Sequence, residues 1–229
     1  MMRFHLTSFL WLIVTTVSAQ TQMGFSVGLG FSLLTSTAEP GEVAELDMSY
    51  PSPSGMLFIR TNTNGPVGFA LHVGYAHKAF TGQWRESTKV WNQSRDGDFA
   101  LHMVRSIIDP EFTLTRSGST ALRAGLDLKW AFNARFSGEA EQFEPYGPSY
   151  AAADTTFTYG PGYEAAVFLG LRTTLADNER WSSTVEPYFA FAPLSNLLGG
   201  GPRTRWVEFG AAVGFGRKRR TRAQQQPAG

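Results

Sequence analysis

Large apolar and very small side chains alternate strictly through residues 23–33 (MGFSVGLGFSL). Successive side chains of a β-strand point to opposite faces, so this segment predicts a strand with one apolar face and one face of glycine and serine. A half-exposed strand of a soluble sheet would carry polar or charged groups on its second face. A small, uncharged second face suits the interior of a narrow closed barrel whose apolar exterior lies against lipid.

Seven further segments predict strands with the same period. The eight predicted strands are residues 23–33, 55–60, 67–77, 99–114, 121–133, 162–175, 181–194 and 205–216. Two of them are irregular. The alternation of 55–60 (GMLFIR) is poor, and in 99–114 Arg105 breaks the apolar face that 99–103 begins. Pro110 would also interrupt the hydrogen-bond ladder of that strand, which we expect to contain a bulge.

The connections between the predicted strands alternate in length. Those after the first, third, fifth and seventh strands are long, and those after the second, fourth and sixth are short. Short turns at one end and long loops at the other are typical of outer-membrane barrels, whereas a soluble sandwich has no reason to sort its loops. The sequence therefore predicts an all-β fold, a single eight-stranded antiparallel transmembrane β-barrel, with strands near the 9–11 residues that a tilted span needs.

The N-terminal residues 1–19 have the pattern of a secretory signal. Arg3 supplies a basic start, an apolar run is densest at 9–14, and Val17-Ser18-Ala19 forms a small-residue cleavage site. An N-terminal membrane helix is the alternative, although this run is shorter than the roughly 20 residues of a helical span. We therefore predict a signal peptide at 1–19, a barrel at 20–216 and a basic, disordered periplasmic tail at 217–229.

Charged side chains of both signs fall on the inward parity of the predicted strands. They are Arg123, Asp127, Lys129, Glu164, Arg172, Glu186 and Glu208. Because buried charges must be paired, we expect a salt-bridge network that plugs the lumen. A narrow ion pathway or a small-ligand site is the alternative. The register of the hairpin at 176–180 makes Arg172 and Glu186 the expected pair, and Phe168 and Trp206 fall unexpectedly on the same inward parity.

Four aromatic residues lie near the predicted strand ends. Tyr75, Trp130, Tyr163 and Trp181 are expected at the membrane interfaces, where amphipathic rings are favoured, although ordinary core packing would also account for them.

Composition narrows the possible functions. The 229 residues carry a formal net charge of +1, so no overall electrostatic field favours nucleic acid. The chain has no cysteine, which excludes disulfides, thiolate metal sites and cysteine nucleophiles. Glycine-rich stretches lack the lysine and strand-to-helix setting of a phosphate loop. No histidine pair has metal-ligand spacing. His77, with Ser87 and Ser94 in the following loop, forms no recognisable triad, so we predict no enzyme, cofactor, metal or nucleic-acid partner.

The signal, the eight amphipathic strands, the loop sorting and the closing strand 206–216 (WVEFGAAVGFG) resemble the small outer-membrane β-barrel superfamily, the OmpA-like and PorT-like barrels. The resemblance covers about residues 22–216. It implies localisation in the cell outer membrane, contact with lipid, and a late aromatic, Phe215, resembling the signal read by the barrel-insertion machinery. This chain departs from that signal by continuing beyond Phe215.

What the resemblance implies for function is a non-catalytic structural, interaction or envelope and secretion-assembly role. The predicted outer loops 35–53, 78–97 and 136–160, or the basic tail, would contact an envelope protein, and the tail would alternatively contact anionic lipid. The remaining alternatives are a narrow-lumen transport or ligand-binding barrel, a rim enzyme acting on lipid, and a soluble lipocalin-like barrel. The last would need an apolar interior, which the inward parity does not supply.

Overall fold

The structure, a computed structural model, describes residues 21–37, 42–61, 66–87, 92–143, 150–197 and 204–219, so the predicted signal peptide lies outside the described residues. The strands are β1 (Thr21–Thr37), β2 (Glu42–Ser49), β3 (Ser52–Thr61), β4 (Val67–Ser87), β5 (Asn92–Thr113), β6 (Thr120–Phe143), β7 (Tyr150–Tyr159), β8 (Gly162–Asp177), β9 (Trp181–Asn196) and β10 (Thr204–Arg219). Within these ranges, no helix is long and apolar enough to cross a membrane.

Eight of the strands close into an antiparallel barrel. Their order around the wall is β1-β3-β4-β5-β6-β8-β9-β10, and β10 pairs again with β1. The closing pair keeps one register from Thr21↔Arg219 to Leu34↔Trp206. Each predicted segment falls on one barrel strand, so the prediction of an eight-stranded antiparallel barrel is confirmed. We call the end that carries the 62–66, 114–119 and 178–180 connections the turn end, and the opposite end the loop end.

Strands β4, β5 and β6 continue past the barrel wall at the loop end. There β2 pairs with residues 80–86 of β4, and β7 pairs with residues 134–142 of β6. These five strands form a sheet that we call the sheet extension. Pro51 separates β2 from β3 and Pro161 separates β7 from β8, as expected for a residue that cannot donate to a sheet ladder.

The segments predicted as the long loops 35–53, 78–97 and 136–160 are therefore largely strand, which corrects that part of the prediction. Residues 38–41, 88–91 and 144–149 lie outside the described residues. The physical reason is that the parts of these strands beyond the apolar outer surface of the barrel have solvent on their outer face and carry polar groups there. The alternation of large apolar residues that marks the barrel strands is consequently lost.

The outer surface of the barrel is apolar on every strand of the wall. On β1, the six outward residues of 23–33 are 41–55% exposed, while Gln22, Ser26 and Ser32 on the other face are buried. Leu57 and Ile59 of β3 also point outward, so the poorly alternating segment 55–60 does have an apolar outer face. The large apolar side chains therefore form a continuous belt around the outside rather than a core.

One boundary and one face differ from the predictions. Strand β10 extends to Arg219, three residues into the predicted tail, and residues 220–229 lie outside the described residues. On β5, residues 99, 101 and 103 point inward with Arg105, so the apolar face that Arg105 interrupts is the inner one. The reason is that the interior itself becomes apolar toward the loop end.

Glycine is required where neighbouring strands approach closely, and the structure supplies a matched pair for testing this. A methyl group added at Gly125 would lie 2.7 Å from the Cα of Asp109, whereas one added at Gly55 would meet nothing within 4 Å. We expect Gly125→Ala to destabilise the barrel by about 1–3 kcal/mol, as overpacking does. Gly55→Ala should stay within about 0.5 kcal/mol of the unsubstituted chain. Urea unfolding of refolded protein, followed by tryptophan fluorescence, compares the two; equal effects would contradict the packing argument.

Candidate functional site in the barrel lumen

The lumen contains a balanced set of buried charges. Among the described residues, six cationic and six anionic side chains lie inside the barrel, each 5% exposed or less: Arg60, Lys78, Arg105, Arg123, Lys129, Arg172, Asp109, Glu111, Asp127, Glu164, Glu186 and Glu208. All seven charged residues assigned to the interior from the sequence lie there. The other five, Arg60, Lys78, Arg105, Asp109 and Glu111, belong to segments with uncertain or unassigned faces.

The charges divide into two groups along the barrel axis. The group nearer the loop end, which we call the loop-end layer, has three cations and three anions: Lys78, Arg105, Lys129, Asp127, Glu164 and Glu208. Lys129 Nζ donates to Glu164 at 2.7 Å and to Glu208 at 2.6 Å. Arg105 grips Asp127 with two parallel hydrogen bonds of 3.0 and 2.7 Å, the strong bidentate geometry.

The second group, the turn-end layer, also balances three cations against three anions: Arg60, Arg123, Arg172, Asp109, Glu111 and Glu186. Arg123 holds Asp109 bidentately at 2.7 and 2.9 Å and donates to Glu186 at 2.6 Å. Arg60 donates to both Glu111 and Glu186. Each cation of the turn-end layer therefore faces at least one carboxylate.

The pair predicted between Arg172 and Glu186 does not form. Arg172 Nε of β8 lies 3.2 Å from Glu111 of β5, past the intervening strand β6, while Glu186 accepts hydrogen bonds from Arg60 and Arg123. Strand register places residues opposite one another on the wall, but long side chains in a narrow barrel reach across it. The partners therefore lie two or three strands away around the wall, and the register of a single hairpin does not include those strands.

A histidine joins the turn-end layer. His72 Nε2 lies 2.8 Å from Nη2 of Arg123. A guanidinium only donates hydrogen bonds, so the imidazole nitrogen accepts, and His72 carries its proton on Nδ1. His72 is thus a neutral acceptor within the network.

A thin apolar layer separates the two ionic groups and explains one unexpected parity. Phe168 is buried with Met56 and Ile107, and its ring stacks on Tyr188 with centroids 5.8 Å apart. The Arg123 guanidinium lies 5.0 Å from the Phe168 ring. Phe168 points inward because it fills the lumen between the charged layers.

Aromatic residues close the lumen at the loop end and explain the second unexpected parity. Phe80 stacks on Phe99 at 4.9 Å and contacts Trp206 at 5.1 Å. Trp206 is 4% exposed, and Lys78 Nζ lies 4.6 Å from its ring. This aromatic cap separates the loop-end layer from the sheet extension.

In the sheet extension, burial raises the pKa of the Tyr159 hydroxyl, to which Arg95 donates a hydrogen bond of 2.5 Å.

The four predicted interface aromatics all lie on the outer surface. Trp130 pairs directly with Tyr163 on β8, and these rings are 54% and 60% exposed. Tyr75 lies on β4 and its hydroxyl is 2.6 Å from His102 Nδ1, whereas Trp181 begins β9 at the turn end. Trp181 is therefore at the end of the barrel opposite to the Trp130–Tyr163 pair, as two interfaces would require.

His77 faces His102 on the outside of the wall, with ring centroids 5.0 Å apart. Ser94 pairs with Arg85, eight residues farther along β4 than His77, which is about 27 Å of strand. His77 and Ser94 are thus too far apart to act together. Within the described ranges, no group of three or more histidine, aspartate or glutamate residues is placed to hold a metal ion.

The strand pairing defines the class of this protein as a small closed eight-stranded β-barrel. No family model matches the chain, and no curated protein matches it. The OmpA-like and PorT-like names therefore stay predictions.

Several solved structures are similar to the chain. The attachment invasion locus protein Ail of Yersinia pestis, in a complex with the heparin analogue sucrose octasulfate, shares 12% identity, with 87% of this chain and 99% of that chain covered and a TM-score of 0.42. Neisserial surface protein A shares 11% identity over 85% and 95% of the two chains, with a TM-score of 0.42. The outer membrane protease OmpT from Escherichia coli shares 7% identity over 87% and 97%, with a TM-score of 0.47. Likenesses of this size carry no conclusion about activity.

Proposed function

We propose that this protein is a non-catalytic outer-membrane β-barrel with a closed lumen and a structural or interaction role at the cell envelope. The apolar belt supports the membrane location. Residues such as Leu57, Tyr163 and Leu29 are 55–70% exposed, and a water-soluble monomer rarely exposes a contiguous apolar surface of this extent. A closed barrel is also the only sheet that satisfies its backbone groups in lipid.

The filled lumen is the single observation that carries the proposed role. The lumen contains two balanced ionic layers, the Phe168 layer between them and the aromatic cap. In this arrangement the charged groups form ion pairs with one another. Lys129 contacts Asp127, Glu164 and Glu208 at 2.6–3.4 Å, which gives no open path for a hydrated ion between them. The network thus serves as a plug that fixes the arrangement of the strands.

The sheet extension supports an interaction role. Its outer face is polar: Thr81 donates to Asp98 at 2.5 Å and Gln83 donates to Asp96 at 2.8 Å. A face of this kind belongs in water, so the extension would stand clear of the lipid on the outer side. We propose that it presents a rigid surface to an envelope protein partner, while the barrel-insertion machinery acts during assembly.

The first test is the membrane fraction on a gel, with and without boiling in detergent. We expect the protein in the outer-membrane fraction, with the unboiled sample migrating differently from the boiled one because a closed barrel resists the detergent. Recovery from the periplasm as a soluble protein without a shift would contradict the membrane location.

Conductance tests the plug. Purified protein in a planar lipid bilayer is expected to give no resolved current steps. Arg172→Ala and Glu186→Ala protein, with Glu139→Ala as a control outside the lumen, would be measured beside it. Steps in the unsubstituted chain whose size changes in the two lumen variants alone would favour the narrow-lumen transport class instead.

The absence of catalysis needs its own measurement. His77 and Ser94 are separated by eight residues of strand, about 27 Å, which supports this absence. Lipid A extracted from a deletion strain is expected to have the same mass as that of the parent strain. A mass change restored by the intact gene but not by a His77→Ala version would identify a rim enzyme acting on lipid.

A further inference from the structure

A polar pocket opens at the turn end of the lumen, beneath the turn-end layer. Its volume is about 230 Å³, and it lies between the ends of β1, β8, β9 and β10 and the 115–119 turn. Hydroxyl and amide groups dominate its wall: Gln22, Ser117, Ser119, Thr174 and Ser182. Gln22 and Ser182 are hydrogen-bonded to each other and mark the inner wall. The pocket thus offers many small hydrogen-bonding groups in a confined space.

Arg172 forms the floor of this pocket and is the least neutralised cation of the turn-end layer. Arg60 contacts two carboxylates and Arg123 contacts three, whereas Arg172 contacts Glu111 alone. Glu111 is shared by all three guanidinium groups. The Arg172 Nε is buried, lies 3.2 Å from Glu111 and has no hydrogen-bond partner among the residues that the structure describes. Its Nη1 makes only a long contact of 3.4 Å with Thr174.

The rim adds one further pair of charges. Lys218 Nζ lies 2.5 Å from Asp177, and both residues line the pocket. The lining therefore carries two cations, Arg172 and Lys218, against one anion. Guanidinium groups match the geometry of phosphate and carboxylate oxygens, and serine and threonine hydroxyls can donate to the remaining oxygens.

We propose that the turn-end pocket binds a small oxyanion, a phosphate group above all, through the Arg172 guanidinium. The group would be held by the serine and threonine hydroxyls of the pocket wall and attracted by Lys218, while Asp177 weakens its binding. A free phosphate ion and the phosphate monoester of a lipid headgroup share this chemistry. The pocket belongs to the folded barrel, and its phosphate binding is measured in detergent. The result is therefore independent of the proposed role in the envelope.

The test is a calorimetric titration of inorganic phosphate into the refolded full chain in a maltoside detergent, which contains no phosphate. Saturable binding is expected at one site. Arg172→Gln should weaken it by roughly tenfold or more, since charge-assisted hydrogen bonds are lost. Because Arg172→Gln could disturb folding, its gel shift with and without boiling is checked first.

Variants of two charged residues at the pocket rim and of one in the neighbouring turn keep the test independent of folding. Lys218→Gln should weaken phosphate binding and Asp177→Asn should strengthen it, each by roughly threefold for a partly screened charge. Arg180→Gln removes the same charge from the neighbouring turn, outside the pocket lining, and should change nothing. Absent or non-saturable binding would overturn the proposal. An equal loss of binding in Arg180→Gln and Lys218→Gln protein would also overturn it, because it would show that phosphate is attracted by surface charge in general.

The source of the phosphate is separated by repeating the titration in nanodiscs. Discs containing phosphatidic acid, which has a phosphate monoester, are compared with phosphatidylglycerol discs of equal charge. A weaker apparent affinity for inorganic phosphate in the phosphatidic acid discs supports occupation of the pocket by a lipid headgroup. Equal affinities support occupation by a free oxyanion.

Discussion

Replacing Glu186 by glutamine is expected to destabilise the barrel by about 3–5 kcal/mol, the cost of breaking a buried ion pair from one side. Glu186 accepts hydrogen bonds from Arg60 and Arg123, which come from strands on different parts of the wall. Glutamine keeps the size but removes the charge. The turn-end layer would then hold three cations against two anions in a site with little access to water.

The measurement is urea unfolding of the refolded chain in phosphatidylcholine vesicles, followed by tryptophan fluorescence. Glu139→Gln is the matched control because Glu139 is exposed on β6 and faces Asp96 across the strands. It should change the unfolding free energy by about 0.5 kcal/mol or less.

A double variant separates charge balance from packing. Arg60→Gln combined with Glu186→Gln returns the turn-end layer to equal numbers of cations and anions. The double variant should be less destabilised than the sum of the single variants, with a coupling of about 1–3 kcal/mol. Strictly additive losses would show that the two side chains act by shape alone and would contradict the electrostatic account.

The parts of this structure that could be predicted are those in which one physical rule acts along a whole strand. On β1, β8 and β10 outward-facing and lumen-facing residues alternate without exception through the barrel wall, so parity alone identifies both faces. Parity predicts Glu164, Arg172 and Glu208 in the interior, and they lie there. Assigning the faces in this way also assumes that the residues facing the lumen are never large and apolar.

That assumption fails at the loop end of the lumen. On β5, Phe99 and Leu101 join the aromatic cap, and Asp109 and Glu111 on the same face join the turn-end layer. One face of β5 is thus apolar at one end and charged at the other. The residue numbers alone would have identified this face. These residues and Arg105 all have odd numbers, and in a regular strand that places them on one side regardless of polarity.

Side-chain pairing could not be predicted, for a geometric reason. Eight strands enclose a lumen narrow enough for a guanidinium to reach past its neighbouring strands, as Arg60 of β3 does to Glu186 of β9, three strands around the wall. The choice of partner then depends on strands that are 126 residues apart in sequence. Hairpin register offers only the nearest candidate, and at Arg172 that candidate was wrong.

A lysine introduced into the middle of the apolar belt should cost far more than one at its edge. Leu29 is 55% exposed and lies between Pro53 and Ala211 on the neighbouring strands. Met23 is 51% exposed, but it pairs with Arg217 at the turn end, where a charged neighbour already lies on the outer surface. The two sites thus have nearly equal exposure and lie six residues apart on β1, about 20 Å of strand.

If lipid covers the belt, Leu29→Lys should reduce the unfolding free energy in phosphatidylcholine vesicles by about 2–4 kcal/mol, and Met23→Lys by about 1 kcal/mol or less. The gradient arises because the ammonium at Leu29 cannot reach water, whereas the one at Met23 can extend to the headgroups. Equal losses at the two sites would mean that something other than a bilayer covers the apolar belt. Since both side chains point away from the lumen, neither substitution disturbs the ionic layers, and the comparison reports on the surroundings of the barrel alone.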